Sequence, residues 1–201
     1  MMRVAILISG RGSNMEALIK GVKSGFIPAE IGLVLSNRAE AEGLAKAKKS
    51  GLKTLFLDPK EYKGKEEYDR AIVETLRGEG IDLVCLAGFM RIISPYFVDA
   101  YHNRIINIHP SLLPAFPGLD AQQQAIDYGV KYSGVTVHIV DKGVDSGPII
   151  AQRVVEVKEG DTAETLAKRI LAEEHKIYPL VLKALAEGRV KVKGRTVMVK
   201  E

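Results

Sequence analysis

Apolar and polar positions follow two rhythms along the chain. Val4-Ala5-Ile6-Leu7-Ile8 is continuously apolar, as in a strand buried on both faces of a parallel sheet. Ser9-Gly10-Arg11-Gly12-Ser13-Asn14 interrupts it, and Met15, Leu18, Ile19 and Val22 then recur at helical spacing. Residues 31–35 predict a second strand, closed by Ser36-Asn37-Arg38. An Ala/Lys/Glu-rich helix is predicted over 39–49, capped by Gly51. A third strand over 53–57 is broken by Asp58-Pro59, and a helix follows over 66–77. Residues 82–87 and 105–109 predict two further strands. This alternation of strand and helix with short loops predicts a parallel sheet covered on both faces, with right-handed crossovers.

The rhythm then changes. Residues 134–141 and 148–157 predict a strand pair joined by the loop 142–147. Asp161, with Glu164 three residues later, signals a helix start. The helix after it carries Leu166, Ile170, Ile177, Val181 and Leu185 on one stripe, and Pro179 inside it predicts a kink. Residues 190–192 and 196–199 flank Lys193-Gly194-Arg195 and predict a terminal hairpin. The expected fold is α/β and Rossmann-like: an open, mostly parallel sheet with helices on both faces and an antiparallel extension in the C-terminal half.

Composition narrows the class. The 201 residues, 46% hydrophobic and 27% charged, suit one sizeable domain. The net charge of +4 is modest and its charges are interspersed, although residues 183–200 are locally basic. Arg/Lys runs interleaved with aromatics are missing, so a nucleic-acid groove is not indicated, while anionic small molecules fit. The single cysteine, Cys85, lies in an apolar run and is expected in the core. Without a disulfide framework or zinc spacing, a reducing compartment is expected. The apolar start is too short for a signal peptide and no apolar run reaches membrane-spanning length. A soluble, cytoplasmic protein without a membrane partner is therefore expected.

Four stretches carry candidate chemistry. In Ile105-Ile106-Asn107-Ile108-His109-Pro110 the isoleucines Ile106 and Ile108 take one face, Asn107 and His109 the other. An amide that donates to a developing oxyanion and an imidazole that moves a proton would share one side near the end of a strand. The alternative is a polar pair hydrogen-bonded into a loop. The Gly10–Asn14 turn (residues 10–14) lets the backbone approach a phosphate at a helix amino end, with Ser13 and Asn14 as extra donors or caps. It is neither a full dinucleotide fingerprint, since Met15 replaces the third glycine, nor a P-loop; a simple capped turn is the alternative. Residues 86–93 leave a strand through Gly88, and Phe89, Met90, Ile92 and Ile93 are either core or the wall of a pocket for a flat ring. Residues 140–148, with Asp141 and Asp145, are either a hairpin connection or a carboxylate brought to an imidazole. His138 on the preceding strand reads as structural. His102 and His175 lack a partner at ligand spacing, so no metal is expected.

Asn107-Ile108-His109-Pro110-Ser111-Leu112-Leu113-Pro114 resembles the signature of the folate-dependent formyltransferases. Ser9-Gly10-Arg11-Gly12-Ser13-Asn14, Gly88-Phe89-Met90-Arg91, Phe116-Pro117-Gly118, Gly134-Val135-Thr136-Val137-His138, Asp145-Ser146-Gly147-Pro148 and Glu174-His175-Lys176-Ile177-Tyr178-Pro179 resemble the glycinamide ribonucleotide branch of that family, in order and nearly end to end. The resemblance implies transfer of the formyl group of 10-formyltetrahydrofolate, a co-substrate, to the amine of 5′-phosphoribosylglycinamide in purine synthesis. It implies that Asn107 polarises the formyl oxygen, His109 carries the proton and Asp145 tunes His109. It assigns the substrate phosphate to Gly12, Ser13 and Asn14, and the ribose side to Glu174. Folate falls to Lys65, Met90, Arg91, Ile92, Ile93 and Asn107, and to the backbone of the loop holding Asp141 and Val144. Two positions depart or are soft: Asp120 stands where many members have histidine, and Lys63 lies close enough to confuse the Lys65 match.

The resemblance further implies a single domain over 1–201, with residues 1–104 as a phosphate-binding half and 105–201 as the catalytic, folate-binding half. Its partners would be small-molecule substrates, with a homodimer left open. A formyltetrahydrofolate hydrolase would share Asn107, His109 and Asp145, but the phosphate turn speaks against it and no regulatory domain is expected before Met1. A methionyl-tRNA formyltransferase would need a further C-terminal domain that the terminal hairpin does not supply. A non-catalytic nucleotide-binding module would make His109 dispensable.

Overall fold

The computed structural model describes residues 1–200. Its chain order is β1 (Met2–Ile8), α1 (Ser13–Lys23), β2 (Ala29–Ser36), α2 (Glu42–Lys49), β3 (Thr54–Phe56), α3 (Lys65–Gly78), β4 (Leu83–Leu86), α4 (Pro95–Ala100), β5 (Ile105–His109), α5 (Ala121–Tyr128), β6 (Tyr132–Ile139), β7 (Ile149–Glu156), α6 (Ala163–Ala186), β8 (Val190–Lys193) and β9 (Thr196–Val199). One seven-stranded sheet has the order β3-β2-β1-β4-β5-β6-β7, and β8-β9 form a separate hairpin. The first five of these strands run parallel, while β6 and β7 are antiparallel to their neighbours. The expected Rossmann-like sheet with its antiparallel extension is thus present. The order in which successive strands are added reverses between β1 and β4, the crevice at which open α/β sheets bind ligands.

The continuous apolar run of β1 is explained by burial on both sides. Val4, Ile6 and Ile8 face the cluster under α1 and α6, which includes Leu18, Ile170, Ile177 and Leu182. Ala5 and Leu7 face the other cluster, with Tyr68, Ile72 and Phe97 from α3 and α4. Each fully buried Val, Leu or Ile contributes about 1.5–3 kcal/mol, so this strand anchors the sheet. Cys85 lies in the core as expected. On α6, the Tyr178 hydroxyl donates to the Leu86 carbonyl at 2.8 Å and lies 3.3 Å from that of Ile106, tying the helix to the ends of β4 and β5.

Three expectations change. The helix expected from residue 39 begins at Glu42, because a turn from the Arg38 carbonyl to the Ala41 N–H first aims the chain at the glycine-rich turn. The α6 cap is Thr162 rather than Asp161. The Thr162 hydroxyl accepts from the Thr165 N–H and Thr165 reaches back to the Thr162 N–H, while Asp161 pairs with Arg169 at 2.7 Å. Helices α4 and α5 were not foreseen: Ser94-Pro95 is a cap followed by proline at the first helical position, and Gly129 ends α5 in the left-handed conformation. α6 continues through Pro179 as a single helix to Ala186.

Candidate active site

The glycine-rich turn folds as a sharp bend because Gly12 adopts φ +73°, the left-handed region open to glycine. A Cβ there would lie 3.0 Å from the Cα of Gly43 and 3.0 Å from Met15 Cε. Gly43 is itself a close-packing position: its N–H donates to the Gly10 carbonyl at 3.0 Å and a Cβ would stand 2.4 Å from Ile8 Cδ1. Ser13 and Asn14 were expected either to cap α1 or to donate; no side chain caps this helix, so its first N–H groups are left for an anion. Asn14 is buried and its Nδ2 donates to Glu174 Oε2 at 2.6 Å, while its Oδ1 has no partner among the described residues. Burial pushes the Glu174 carboxyl above its ordinary range, against the pull of the Asn14 hydrogen bond. The turn and the start of α1 thus offer backbone donors to an anion, beside the Glu174 carboxylate of α6.

The segment after β4 splits between core and surface. Phe89 and Ile93 are buried against α3 and α4, whereas Met90 and Ile92 are each 62% exposed. Arg91 lies with its guanidinium 4.8 Å from the Tyr68 ring centroid. Lys65 opens α3 and is exposed.

Asn107, His109, Thr136 and His138 occupy one face of β5 and β6, since Asn107 pairs with His138 and His109 with Thr136 in the antiparallel register. Helices α3 and α4 cover this face elsewhere; here the loops after β5 and β6 cover it. Ser111 and Leu113 of the first loop are fixed by Thr136, whose hydroxyl donates to the Ser111 carbonyl at 2.7 Å and accepts from the Leu113 N–H at 3.0 Å. The second loop leaves the sheet beside Ile105, where the Val140 N–H donates to the Ile105 carbonyl. It therefore starts at the amino end of β5, away from His109, and folds back over the face.

That fold-back brings Asp145 to the centre. Its Oδ2 lies 3.3 Å from His109 Nδ1 and accepts from the Gly118 N–H at 2.8 Å. Its Oδ1 lies 3.5 Å from Asn107 Nδ2 and 3.8 Å from His138 Nε2. Asp145 holds φ +49°, uncommon for a residue with a side chain. The loop is braced by Asp141, which accepts from the Gly143 N–H and the Ser146 hydroxyl, and by Lys142 paired with Asp99 at 2.9 Å. Val144 at its tip is half exposed. A Cβ on Gly147 would stand 1.8 Å from the Ile139 carbonyl oxygen, so only glycine lets the loop close there.

The imidazole roles follow from their partners. His109 Nε2–H donates to the Phe116 carbonyl at 2.8 Å, which leaves Nδ1 as the ring nitrogen that faces Asp145. His138 Nδ1–H donates to the Ile139 carbonyl at 2.8 Å. Burial pushes the His138 pKa below its ordinary value, against that carbonyl and Asp145, so its ring stays neutral and Nε2 accepts from Asn107 at 3.3 Å. His138 therefore fixes the amide end of Asn107 toward the centre, instead of being the merely structural strand histidine that its isolation in sequence suggested. The longer 3.5 Å contact to Asp145 leaves the other amide hydrogen able to meet a ligand oxygen. Phe116 and Gly118 entered the sequence reading only as part of a resembling motif, with no role of their own, because both act through backbone atoms. Among the described residues, no group of three or more His, Cys, Asp or Glu is placed to hold a metal, and no helix is long and apolar enough to cross a membrane.

Comparison with known proteins places this geometry. The formyl transferase family matches residues 2–182. A phosphoribosylglycinamide formyltransferase of Bacillus subtilis is 45% identical over 185 residues, 92% of this chain and 95% of that protein. The human trifunctional purine biosynthetic protein adenosine-3 is 47% identical over 201 residues, 99% of this chain; the chain spans only 20% of its length. The crystal structure of glycinamide ribonucleotide transformylase 1 from Symbiobacterium toebii superposes with a TM-score of 0.98 at 51% identity, covering 100% of this chain and 95% of that one. A formyltetrahydrofolate deformylase from Pseudomonas syringae is more distant, with a TM-score of 0.91 at 29% identity, covering 100% of this chain and 66% of its own.

Proposed function

The chain belongs to the formyl transferase family, and from that membership we propose that it transfers the formyl group of 10-formyltetrahydrofolate to the amine of 5′-phosphoribosylglycinamide in purine synthesis. The observation that carries this reading is the convergence of Asn107, His109 and Asp145 over β5, in a sheet whose neighbouring strands β4 and β1 lead into an exposed apolar segment and a glycine-rich turn. The amine nitrogen attacks the formyl carbon, the bond from that carbon to folate N10 breaks, the amine loses a proton and N10 gains one. Asn107 donates to the formyl oxygen as it gains charge. His109 takes the amine proton at Nδ1 and returns it to N10, with Asp145 steadying the charged ring. Gly12, Ser13 and Asn14 hold the phosphate, and Glu174 accepts from the ribose hydroxyls. Met90, Ile92 and Val144 face the folate, with Arg91, Ile93 and Asp141 shaping the walls behind them and Lys65 at the rim.

In this scheme residues 1–104 chiefly hold the phosphate and 105–201 carry the reaction, with Met90 and Glu174 crossing that division. The enzyme acts on small molecules, in the cytoplasm. The deciding assay follows folate absorbance with and without the amine. Turnover that depends on the amine is expected; turnover without it would make the protein a formyltetrahydrofolate hydrolase.

The phosphate turn gives a separate test. Gly12→Val places a side chain at positive φ against Gly43 and Met15 and blocks the backbone N–H groups. The ribonucleotide KM is expected to rise on the order of tenfold or more, with the folate KM within about twofold. Equal losses in both, with the circular dichroism spectrum unchanged, would move the phosphate elsewhere.

A further inference from the structure

The segment 90–93 is held in place by groups that lie outside the reacting centre. At its start the Met90 N–H donates to the Ser9 hydroxyl at 2.8 Å, and that hydroxyl donates onward to Asn37 Oδ1 at 2.5 Å. In the middle, Arg91 stacks over Tyr68. At its end the Ser94 N–H donates to the carboxylate of Asp69 on α3. Asp69 is 2% exposed, and burial pushes its carboxyl above the ordinary value against the pull of Ser94, Lys65 and Arg91. Desolvating a carboxylate is costly, and an apolar side chain would fill the same space without that cost. The α3–α4 contact already has Tyr68, Ile72, Phe97 and Val98 to hold it. The carboxylate is aimed instead at Ser94, at its backbone N–H and its side chain, where the segment turns into α4.

We infer that Ser9 and Asp69 are positioning residues for folate: they moor the two ends of the segment 90–93 so that Met90 and Ile92 stay turned out of the core as a preformed wall. The inference rests on the reading of that segment as a folate wall. Without the moorings the backbone can roll, and the apolar side chains that face folate can sink toward Phe89 and Ile93. The expected signature is a loss confined to one substrate, because Ser9 and Asp69 reach the site only through the segment 90–93.

Initial rates are measured with 10-formyltetrahydrofolate varied at saturating ribonucleotide, and the converse. Asp69→Ala and Ser9→Ala are each expected to raise the folate KM about tenfold and to leave the ribonucleotide KM within about twofold. Asp69→Asn keeps an oxygen that accepts from the Ser94 N–H, so it should restore the folate KM to within about threefold of the parent. Ser9→Ala leaves the α3–α4 contact untouched and carries the test alone if Asp69→Ala does not fold. Parallel losses in both KM values, or an Asn variant as poor as Ala, overturn the inference. Ile92→Ala separates the two readings. If it raises the folate KM while Ser9→Ala and Asp69→Ala do not, the mooring is wrong; if it too leaves the folate KM unchanged, the folate wall falls with it.

Discussion

Replacing His109 by alanine lowers kcat by about 10²–10⁴, and replacing Asp145 by asparagine as well lowers it hardly further. The expectation follows from shared atoms. Asp145 Oδ2 sits 3.3 Å from His109 Nδ1, the nitrogen left to exchange a proton once the Phe116 carbonyl has claimed Nε2. A carboxylate in that place acts on the reaction through the ring, by orienting it and by balancing its charge when protonated. With the ring gone it has nothing to act upon. Asp145→Asn alone should lower kcat with little change in either KM. The check is a double-mutant cycle on single-turnover rates, with circular dichroism on each variant. Strictly multiplicative losses would mean that the two residues work independently.

The second large effect concerns Asn107. Loss of one preorganised donor to a developing oxyanion costs on the order of 10²–10³ in kcat at comparable sites, and Asn107→Ala should fall in that range. Asn107→Asp should be worse. It keeps the shape, removes the donor, and sets an acceptor against the lone pair on His138 Nε2 and against Asp145 Oδ1, both of which now face an amide N–H. The expected order of kcat is Asn, then Ala, then Asp, measured at saturating substrates. An Asp variant more active than Ala would take Asn107 out of the transition state.

Residues whose role depends on strand alternation were readable in advance. Asn107 and His109 share a face because they are two apart, and Ile106 and Ile108 mark the opposite face as core. The parallel part of the sheet followed from its apolar runs. His138 was not readable, because its partnership with Asn107 depends on the antiparallel register of β5 with β6, and alternation within one strand is silent about its neighbour's offset. Phe116 and Gly118 contribute a carbonyl and an N–H, which every residue carries, so their identity held no signal beyond the family resemblance. Gly43 lay inside an Ala/Lys-rich helical stretch where a glycine looks merely tolerated; its necessity appears only once Ile8 and Gly10 are packed against it. Asp69 has no distinguishing neighbour in sequence within the helix over 66–77, yet it is buried.

Connections between antiparallel strands usually vary freely in length, since a longer or shorter turn leaves the ladder intact. The connection from Ile139 to Ile149 has no such freedom. It leaves the sheet at one end of β5 and must deliver a carboxylate back to the level of Asn107 and His109 before returning to pair beside His138. Its residue count is therefore a chemical quantity and not only a spatial one. One residue more or fewer would present Val144 or Ser146 to the imidazole while the seven-stranded sheet closed as before. On the proposed mechanism, a change in that one length is expected to abolish turnover while the fold persists, with no side chain of the core changed.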